Sequence, residues 1–240
     1  MPETTTTGVV APATETKSTK SRSPINQAHA RELSKAETVT QAAKNEDRAT
    51  ALANRDIDDE YVSTAFTEVG TAREKAAEVV LKSTAQLAST AKLSKAEKAL
   101  FAGLREVQKA AKQKYGRSNP IALADYFVGK KLNGSKPNLA QTSQTVIEKL
   151  ATDKLPGFTA AKVKAVEALR KAWVDATDAQ VDAQSAALSA RAEFKTLLKG
   201  VSDRRVAIQL AADAEWPHTE EENYGVRKEF VLPAKQPAKV

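Results

Sequence analysis

The residues of this chain best suited to bind a ligand are five cations near its middle. On an α-helix, at about 100° per residue, their side chains fall within about 100° of one another: Lys95, Lys98, Arg105, Lys109 and Lys112. Apolar residues fall on the opposite side: Leu100, Leu104, Val107 and Ala111. Such a basic face could bind phosphates, acidic lipid or an acidic protein. The same pattern is typical of the solvated outer face of an ordinary amphipathic helix, so both interpretations stay open.

Positive charge is concentrated around these residues. The chain has a formal net charge of +7, and the segment from Lys92 to Lys136 holds 11 basic and three acidic residues. That segment alone therefore carries +8, and the rest of the chain amounts to −1. Electrostatic attraction for nucleic acid or an anionic surface would come from this segment.

A run of neutral polar residues from Gln141 to Thr145 gives a weaker indication of nucleic-acid binding. On the third helix of a helix-turn-helix, these side chains would reach base edges. The surrounding turns do not match a DNA-binding pattern, and neutral polar runs also occur on ordinary exposed helices.

The residue types that build common catalytic and metal sites are scarce. The chain has no cysteine, which excludes disulfides, thiolate metal sites and cysteine nucleophiles. His29 and His218 are the only histidines, and the two helical Glu-x-x-His pairs of a di-iron bundle are not present. The Gly134-Ser135-Lys136 turn lacks the upstream glycine of a phosphate-binding loop. We therefore expect a non-catalytic protein with no catalytic, cofactor or metal site.

Two long helical patterns must position the basic segment. In the second of them, small or apolar residues recur in alternating steps of three and four, interrupted only by Gln180: Val166, Leu169, Trp173, Ala176, Ala183, Ala187, Ala190, Phe194, Leu197 and Val201. This spacing places them on one narrow seam that packs against another helix. Gln180 either fixes the register of the two helices or marks a hydrated level of the seam.

The first helical pattern precedes the basic segment. Its apolar positions are Val62, Ala65, Phe66, Val69, Ala72, Ala76, Val80, Leu87 and Ala91. Ser34 and Glu37 fit a capping box that would start this arm. The carboxylates that follow Asn54 could start a fresh helix, and Gly70 weakens the interior, so the arm is either one helix or two helices in line.

Equal arms of about 57 and 56 residues, each about 85 Å long, predict an all-α antiparallel helical hairpin with an Ala-rich, coiled-coil-like seam. Its divisions would be a disordered N-terminal tail (1–33), a first arm (34–91), a basic inserted subdomain at the tip (92–156), a second arm (157–214) and a C-terminal tail (215–240). The insert would hold three helices, starting near Lys95, at Asn119-Pro120 and at Asn138.

The C-terminal tail carries four bulky residues in otherwise polar sequence: Trp216, Tyr224, Phe230 and Leu232. We expect them to dock on the bundle near the ends of both arms. Thr219 and Glu222 fit another capping box, Gly225 would end a short helix, and residues 230–233 would be extended.

These features favour a structural or assembly protein that uses its long arms to associate with itself, as a homo-oligomer, or with another helical protein. The alternative is a module that binds a polyanion, either nucleic acid or an anionic surface, through the basic insert. No apolar run reaches the roughly 20 residues that span a bilayer, and the N-terminus lacks a secretory pattern. The sequence therefore predicts a soluble, cytoplasmic protein without a transmembrane segment.

Overall fold

The computed structural model of the chain describes residues 26–116, 119–130, 132 and 135–233. Within these ranges there are seven α-helices, one short 3₁₀ helix at Glu221–Asn223 and no strand. The α-helices are α1 (Gln27–Ala43), α2 (Glu46–Ala53), α3 (Asp59–Tyr115), α4 (Pro120–Asp125), α5 (Lys136–Thr152), α6 (Ala160–Glu215) and α7 (Tyr224–Glu229). Residues 1–25 of the predicted disordered tail, and the last seven residues of the predicted C-terminal tail, lie outside the described residues.

The predicted all-α helical hairpin is confirmed, and its arms are α3 and α6. They contain 57 and 56 residues, so each is about 85 Å long. Polar contacts between them join residues whose numbers run in opposite directions, which makes the pair antiparallel: Glu68 with Arg204, Lys75 with Glu193 and Ser83 with Arg191. We call the end near Asp59 and Glu215 the base of the hairpin, and the end near Tyr115 and Ala160 the tip.

The predicted seam of α6 faces α3. Val166, Trp173, Ala187, Ala190, Phe194 and Val201 are buried, and Leu169, Ala176, Ala183 and Leu197 are half-buried. Gln180 is half-buried as well; it donates to the Gln184 side chain and accepts from Lys136. Its partners thus come from its own helix and from α5 rather than from α3.

On α3 the predicted seam agrees with the structure at Val62, Ala65, Val69, Ala72 and Ala76, fails at Phe66, and diverges after Ala76. The buried line runs through Val62, Ala65, Val69, Ala72, Ala76, Val79 and Ser83. Because the chain keeps alternating steps of three and four, Ala76 is followed by Val79 and not by Val80. Val80, Leu87 and Ala91, which the sequence pattern placed on the seam, are therefore exposed. Phe66 lies at the edge beneath the Lys44 ammonium, 3.6 Å from the ring centroid.

The first arm does not begin as predicted. Ser34 and Glu37 lie inside α1, because Asn26 starts that helix by accepting a hydrogen bond from the Ala28 amide. Residues 27–33 are therefore helical, and their assignment to a disordered tail was wrong. Of the two alternatives left open for the first arm, the structure has the fresh start after Asn54, since Asp58 caps α3 by accepting from the Tyr61 amide at 2.7 Å.

The α1 helix folds back on the hairpin as a third helix instead of continuing in line with α3. His29 packs edge-on against Phe194, and Glu32 accepts from Arg205 further along α6. The α1 helix therefore runs parallel to α6 and antiparallel to α3. Asn45, which caps α2, marks the change of direction.

The tip also departs from the predicted three helices. No helix boundary lies near residue 92, because α3 continues unbroken to Gly116, whose φ of 59° ends it. Leu93, Leu100 and Leu104 simply extend the buried line of α3. The α4 helix ends at Asp125, and α5 starts two residues earlier than predicted because Pro137 fits its first turn.

Three hydrophobic clusters follow one another along the rod. The tip cluster joins α3 and α6 to α5, with Tyr126, Leu139 and Leu150 buried. The α1 cluster joins α1 to the arms around Leu33 and Phe194. The base cluster contains residues from α1, α2, α3 and α6 together with Phe230. Each cluster requires helices beyond the hairpin, since two helices alone bury little.

Glycines in the arms differ in the space around them, which gives a paired prediction. A Cβ at Gly200 would meet nothing within 4 Å, whereas a Cβ at Gly103 would lie 2.9 Å from the Leu169 Cδ1. We expect Gly200→Ala to raise the free energy of unfolding by up to about 1 kcal/mol through helix propensity. Gly103→Ala should gain less or lose stability, because Leu169 must move. Urea denaturation of both variants tests this, and equal gains would contradict it.

The segment after α6 turns sharply at Val231, which has a φ of 56°. The Leu232 amide donates to the Arg227 carbonyl and the Val231 amide to the Lys228 carbonyl, so α7 ends in a Schellman-type cap with valine where glycine is usual. The left-handed region costs an L-residue roughly 1–2 kcal/mol. Val231→Gly should therefore raise the free energy of unfolding by about 1 kcal/mol, measured by urea denaturation. Val231→Ala keeps the Cβ, so an equal rise in its free energy of unfolding would show that the left-handed conformation of residue 231 is not the cause.

Candidate functional site

The basic face lies on the tip half of α3. All five of its cations are exposed: Lys95, Lys98, Arg105, Lys109 and Lys112. From the first to the last they cover 18 residues, or about 26 Å of helix. Lys109 bonds to Glu106 on the same helix at 2.6 Å. Among the described residues the other four make no salt bridge.

The neutral polar run from Gln141 to Thr145 does not form a recognition face. Ser143 is fully buried in the tip, where its hydroxyl donates to the Ala140 carbonyl. Gln144 donates to Glu148 on the same helix. Because α5 packs against α6 through this run, only part of it faces solvent, and the helix-turn-helix interpretation loses its geometric basis.

A partly buried polar cluster closes the tip. The Asp153 carboxylate accepts hydrogen bonds from Lys114, from the Tyr115 hydroxyl and, at 2.7 Å, from the Tyr126 hydroxyl. Burial alone would raise the pKa of Asp153, but the hydrogen bonds from these three residues outweigh burial and hold the pKa at about 2.

Tyr126 shows the opposite effect in the same cluster. Burial, followed by its hydrogen bond to the Asp153 carboxylate, raises the pKa of Tyr126 far above its usual value. The carboxylate is thus held charged and the phenol neutral. Since the donors and the acceptor satisfy one another, the cluster joins the ends of α3, α4 and α5 and offers no free acid or base.

Neither histidine forms part of a reactive constellation. His29 lies against the Phe194 ring, 5.6 Å between centroids. His218 lies half-buried in the turn after α6. Within the part of the chain that the structure describes, no three His, Cys, Asp or Glu residues are arranged to hold a metal ion.

The base carries the opposite charge to the tip, a feature that the sequence analysis missed. Residues 45–60 and 213–229 surround the base and together hold 12 acidic and four basic residues, which gives −8. Three of the four cations already bind carboxylates within the molecule: Arg48 with Glu229, Arg55 with Glu215 and Arg227 with Asp213. Nine exposed carboxylates without a described salt bridge remain: Glu46, Asp47, Asp56, Asp58, Asp59, Glu60, Glu220, Glu221 and Glu222.

The tail residues lie at the base, around a buried arginine. Trp216 stacks on Phe230 with 5.4 Å between ring centroids, Leu232 packs against the base cluster, and Tyr224 is half-buried at the start of α7. Gly225 lies inside α7 rather than at its end, and Glu220 rather than Thr219 precedes the 3₁₀ helix. Residues 230 and 231 form a turn where the sequence predicts the start of an extended segment.

The buried arginine is Arg227, which is 1% exposed. Its guanidinium donates to the Trp216 carbonyl, to the Pro233 carbonyl and to Asp213. Nothing in the charged C-terminal sequence indicated that Arg227 would be buried, so these contacts were not predicted.

An open groove of about 600 Å³ lies between α1, α3 and α7. Its acidic lining residues are already engaged, since Glu37 binds Arg73 and Glu229 binds Arg48. Phe66 contributes an apolar wall beneath Lys44. The groove therefore presents no free charge and no reactive group.

Comparison of the chain with protein families, curated proteins and solved structures finds no match. The interpretation of its surfaces therefore depends on the geometry described above. Within the described ranges, no helix combines the length and the apolar character needed to cross a bilayer.

Proposed function

We propose that this chain is a non-catalytic structural or assembly protein whose helical rod acts as a spacer and as a self-association surface. The packing of two helices of 57 and 56 residues along their length supports this proposal. A rod of about 85 Å uses most of the chain to hold two surfaces apart. The surfaces carry +8 near the tip and −8 at the base. An active site, in contrast, needs a concave site with convergent reactive groups.

Sedimentation velocity on the full-length chain tests this function. We expect a frictional ratio clearly above that of a sphere, and a sedimenting mass that rises above 25.8 kDa with protein concentration. A compact species of near-spherical frictional ratio that stays monomeric at every concentration would contradict both parts of the proposal.

The second candidate function is polyanion binding through the basic face. Its support is the exposure of Lys95, Lys98, Arg105 and Lys112 without a described salt bridge. Binding to a labelled DNA duplex of mixed sequence should weaken steeply with salt, by about 0.9 in log K per log salt for each phosphate neutralised.

Charge reversal distinguishes a specific surface from general basicity. K98E/R105E/K109E should abolish DNA binding, whereas the matched reversal K195E/K199E/K228E should reduce it far less. Equal losses in both variants would assign the affinity to net charge alone and remove the basic face as its site.

A further inference from the structure

The centre of the rod exposes large apolar side chains. Leu87 is the middle residue of α3 and is 72% exposed. Leu188 lies at the middle of α6 and is 56% exposed, and Val181, seven residues earlier, is 53% exposed. Large apolar side chains on a monomer surface are individually common, but several at one level of a rod indicate a contact surface.

This central segment is where the additional helices leave the hairpin uncovered. The α1 helix reaches only the level of Phe194, and α5 starts at the level of Gln180, which Lys136 contacts at 3.2 Å. The 14 residues between those levels span about 21 Å. Among the described elements, only α3 and α6 pack against each other there, and the tip and α1 clusters stop on either side.

One face of α3 connects this apolar centre to the basic face. Steps of three and four carry the helix surface from Val80 to Lys112 without a break: Val80, Thr84, Leu87, Ala91, Lys95, Lys98, Ala102, Arg105, Lys109 and Lys112. Every residue on this line is exposed. The apolar centre and the basic tip therefore form one continuous surface.

The charges at the two ends cannot satisfy each other within one molecule. The uncompensated cations of the tip and the uncompensated carboxylates of the base lie most of the rod's length apart, many times the Debye length of about 8 Å at physiological salt. A second copy of the chain brings both signs together, because each copy carries both.

We propose that two copies pack side by side and antiparallel, with the two-fold axis at the level of Leu87 and Leu188. The basic face of each copy then contacts the acidic base of its partner, and the exposed apolar residues meet at the centre. This inference names the partner and the geometry of the self-association proposed above, and it rests on that function. Closed two-fold dimers are the commonest symmetric assemblies.

The register of this arrangement follows from residue numbers. Lys112 lies 25 residues, or about 37 Å, from Leu87 toward the tip. Asp59 lies 28 residues, or about 42 Å, from Leu87 toward the base. Two-fold symmetry about Leu87 therefore places Lys112 of one copy within about one helical turn of the level of Asp59 in the other, and it does so twice in the dimer.

Cysteine cross-linking tests the geometry cleanly, because the chain contains no cysteine. With a short bismaleimide, Leu87→Cys and Leu188→Cys should each give a covalent dimer. The control is Leu210→Cys, a 65% exposed leucine that is 22 residues from Leu188 on the same helix. Its two copies would lie about 66 Å apart, so it should not cross-link. A mixture of Lys112→Cys and Asp59→Cys should cross-link, and neither variant alone should do so.

Each alternative arrangement predicts a different result and overturns the proposal. Cross-linking of all three leucine variants would indicate a parallel dimer. Cross-linking of the Lys112 and Asp59 mixture without that of Leu87 would indicate end-to-end chains. If the chain sediments as an oligomer and no variant cross-links, the proposed function survives and this geometry does not. A monomeric rod that binds DNA through the basic face would overturn both.

A charge exchange gives an independent test. K98E/R105E/K109E and E60K/E221K/E222K should each weaken dimerisation at least tenfold in sedimentation equilibrium, while circular dichroism stays unchanged. In the mixed dimer of the two variants both tip-to-base contacts pair opposite charges again, so an equimolar mixture should associate more tightly than either variant alone. No recovery on mixing would refute the pairing of tip with base.

Discussion

Replacing Arg227 by methionine is expected to lower the free energy of unfolding by about 3 kcal/mol. The guanidinium is buried and connects three groups that no other side chain joins: the Trp216 carbonyl at the end of α6, the Pro233 carbonyl and the Asp213 carboxylate. Methionine fills most of the volume, so the loss comes mainly from buried acceptors left without donors.

The measurement is urea denaturation, followed both by helical circular dichroism and by tryptophan fluorescence. Trp216 accepts from Arg227 through its carbonyl and stacks on Phe230, so the fluorescence should change at lower urea than in the parent protein. Lys228→Met is the matched control. The side chain of Lys228, the next residue after Arg227, is exposed, so this substitution should lower the free energy of unfolding by less than about 0.5 kcal/mol. Similar midpoints for both variants would show that Arg227 does not hold the tail on the base.

Replacing Asp153 by alanine is expected to cost about 2–3 kcal/mol at neutral pH, the second large effect. The carboxylate accepts from Tyr115, Tyr126 and Lys114, and Tyr126 is fully buried. Its removal leaves the Tyr126 hydroxyl without its acceptor in the tip and removes the contact that joins α3 to the end of α5. Glu106→Ala, which breaks the exposed pair with Lys109, should cost less than about 1 kcal/mol.

The same residue gives a pH dependence of definite sign. The pKa of Asp153 in the folded chain is about 2, below its ordinary value of 3.8. Its stabilising contribution is therefore complete above pH 4 and is lost as the pH falls from about 4 toward 2. Asp153→Asn should flatten the stability profile in that window, measured by urea denaturation at fixed ionic strength. An unchanged slope would mean that other carboxylates dominate the acid response.

The hairpin could be predicted from sequence because its signal is repetitive. Alternating steps of three and four over 36 residues, from Val166 to Val201, leave few helix faces for the seam of α6. The prediction for α3 diverged at Ala76, where steps of three and four both reach a valine, Val79 or Val80. The local sequence pattern cannot decide which of two neighbouring valines is buried, because both are equally hydrophobic. Packing against α6 decides it.

Helix starts were harder to predict because several side chains can cap. Ser34 with Glu37 satisfies the capping pattern, yet Asn26 caps the helix upstream. Capping is worth only about 1 kcal/mol, so packing of Leu33 in the α1 cluster is enough to favour the longer helix. The sequence also did not indicate that α1 folds back against the arms. Its apolar periodicity would be the same whether α1 continued in line with α3 or packed beside it.

The basic face was visible in sequence because its members lie on one helix. The acidic base was not, because its residues come from two segments about 150 positions apart that only the fold brings together. Arg227 escaped notice for a related reason: its partners at Trp216 and Pro233 are backbone carbonyls, which every residue has.

The uncovered central segment also determines how the rod responds to force. Among the described residues, three or more helices share the load near each end, whereas two do so over about 21 Å at the middle. An isolated copy should therefore bend first at this central segment, and images of single particles should show two straight halves joined at variable angles. A second copy packed against this central segment would make it stiffer, so a straight rod in the images would indicate that two copies are paired.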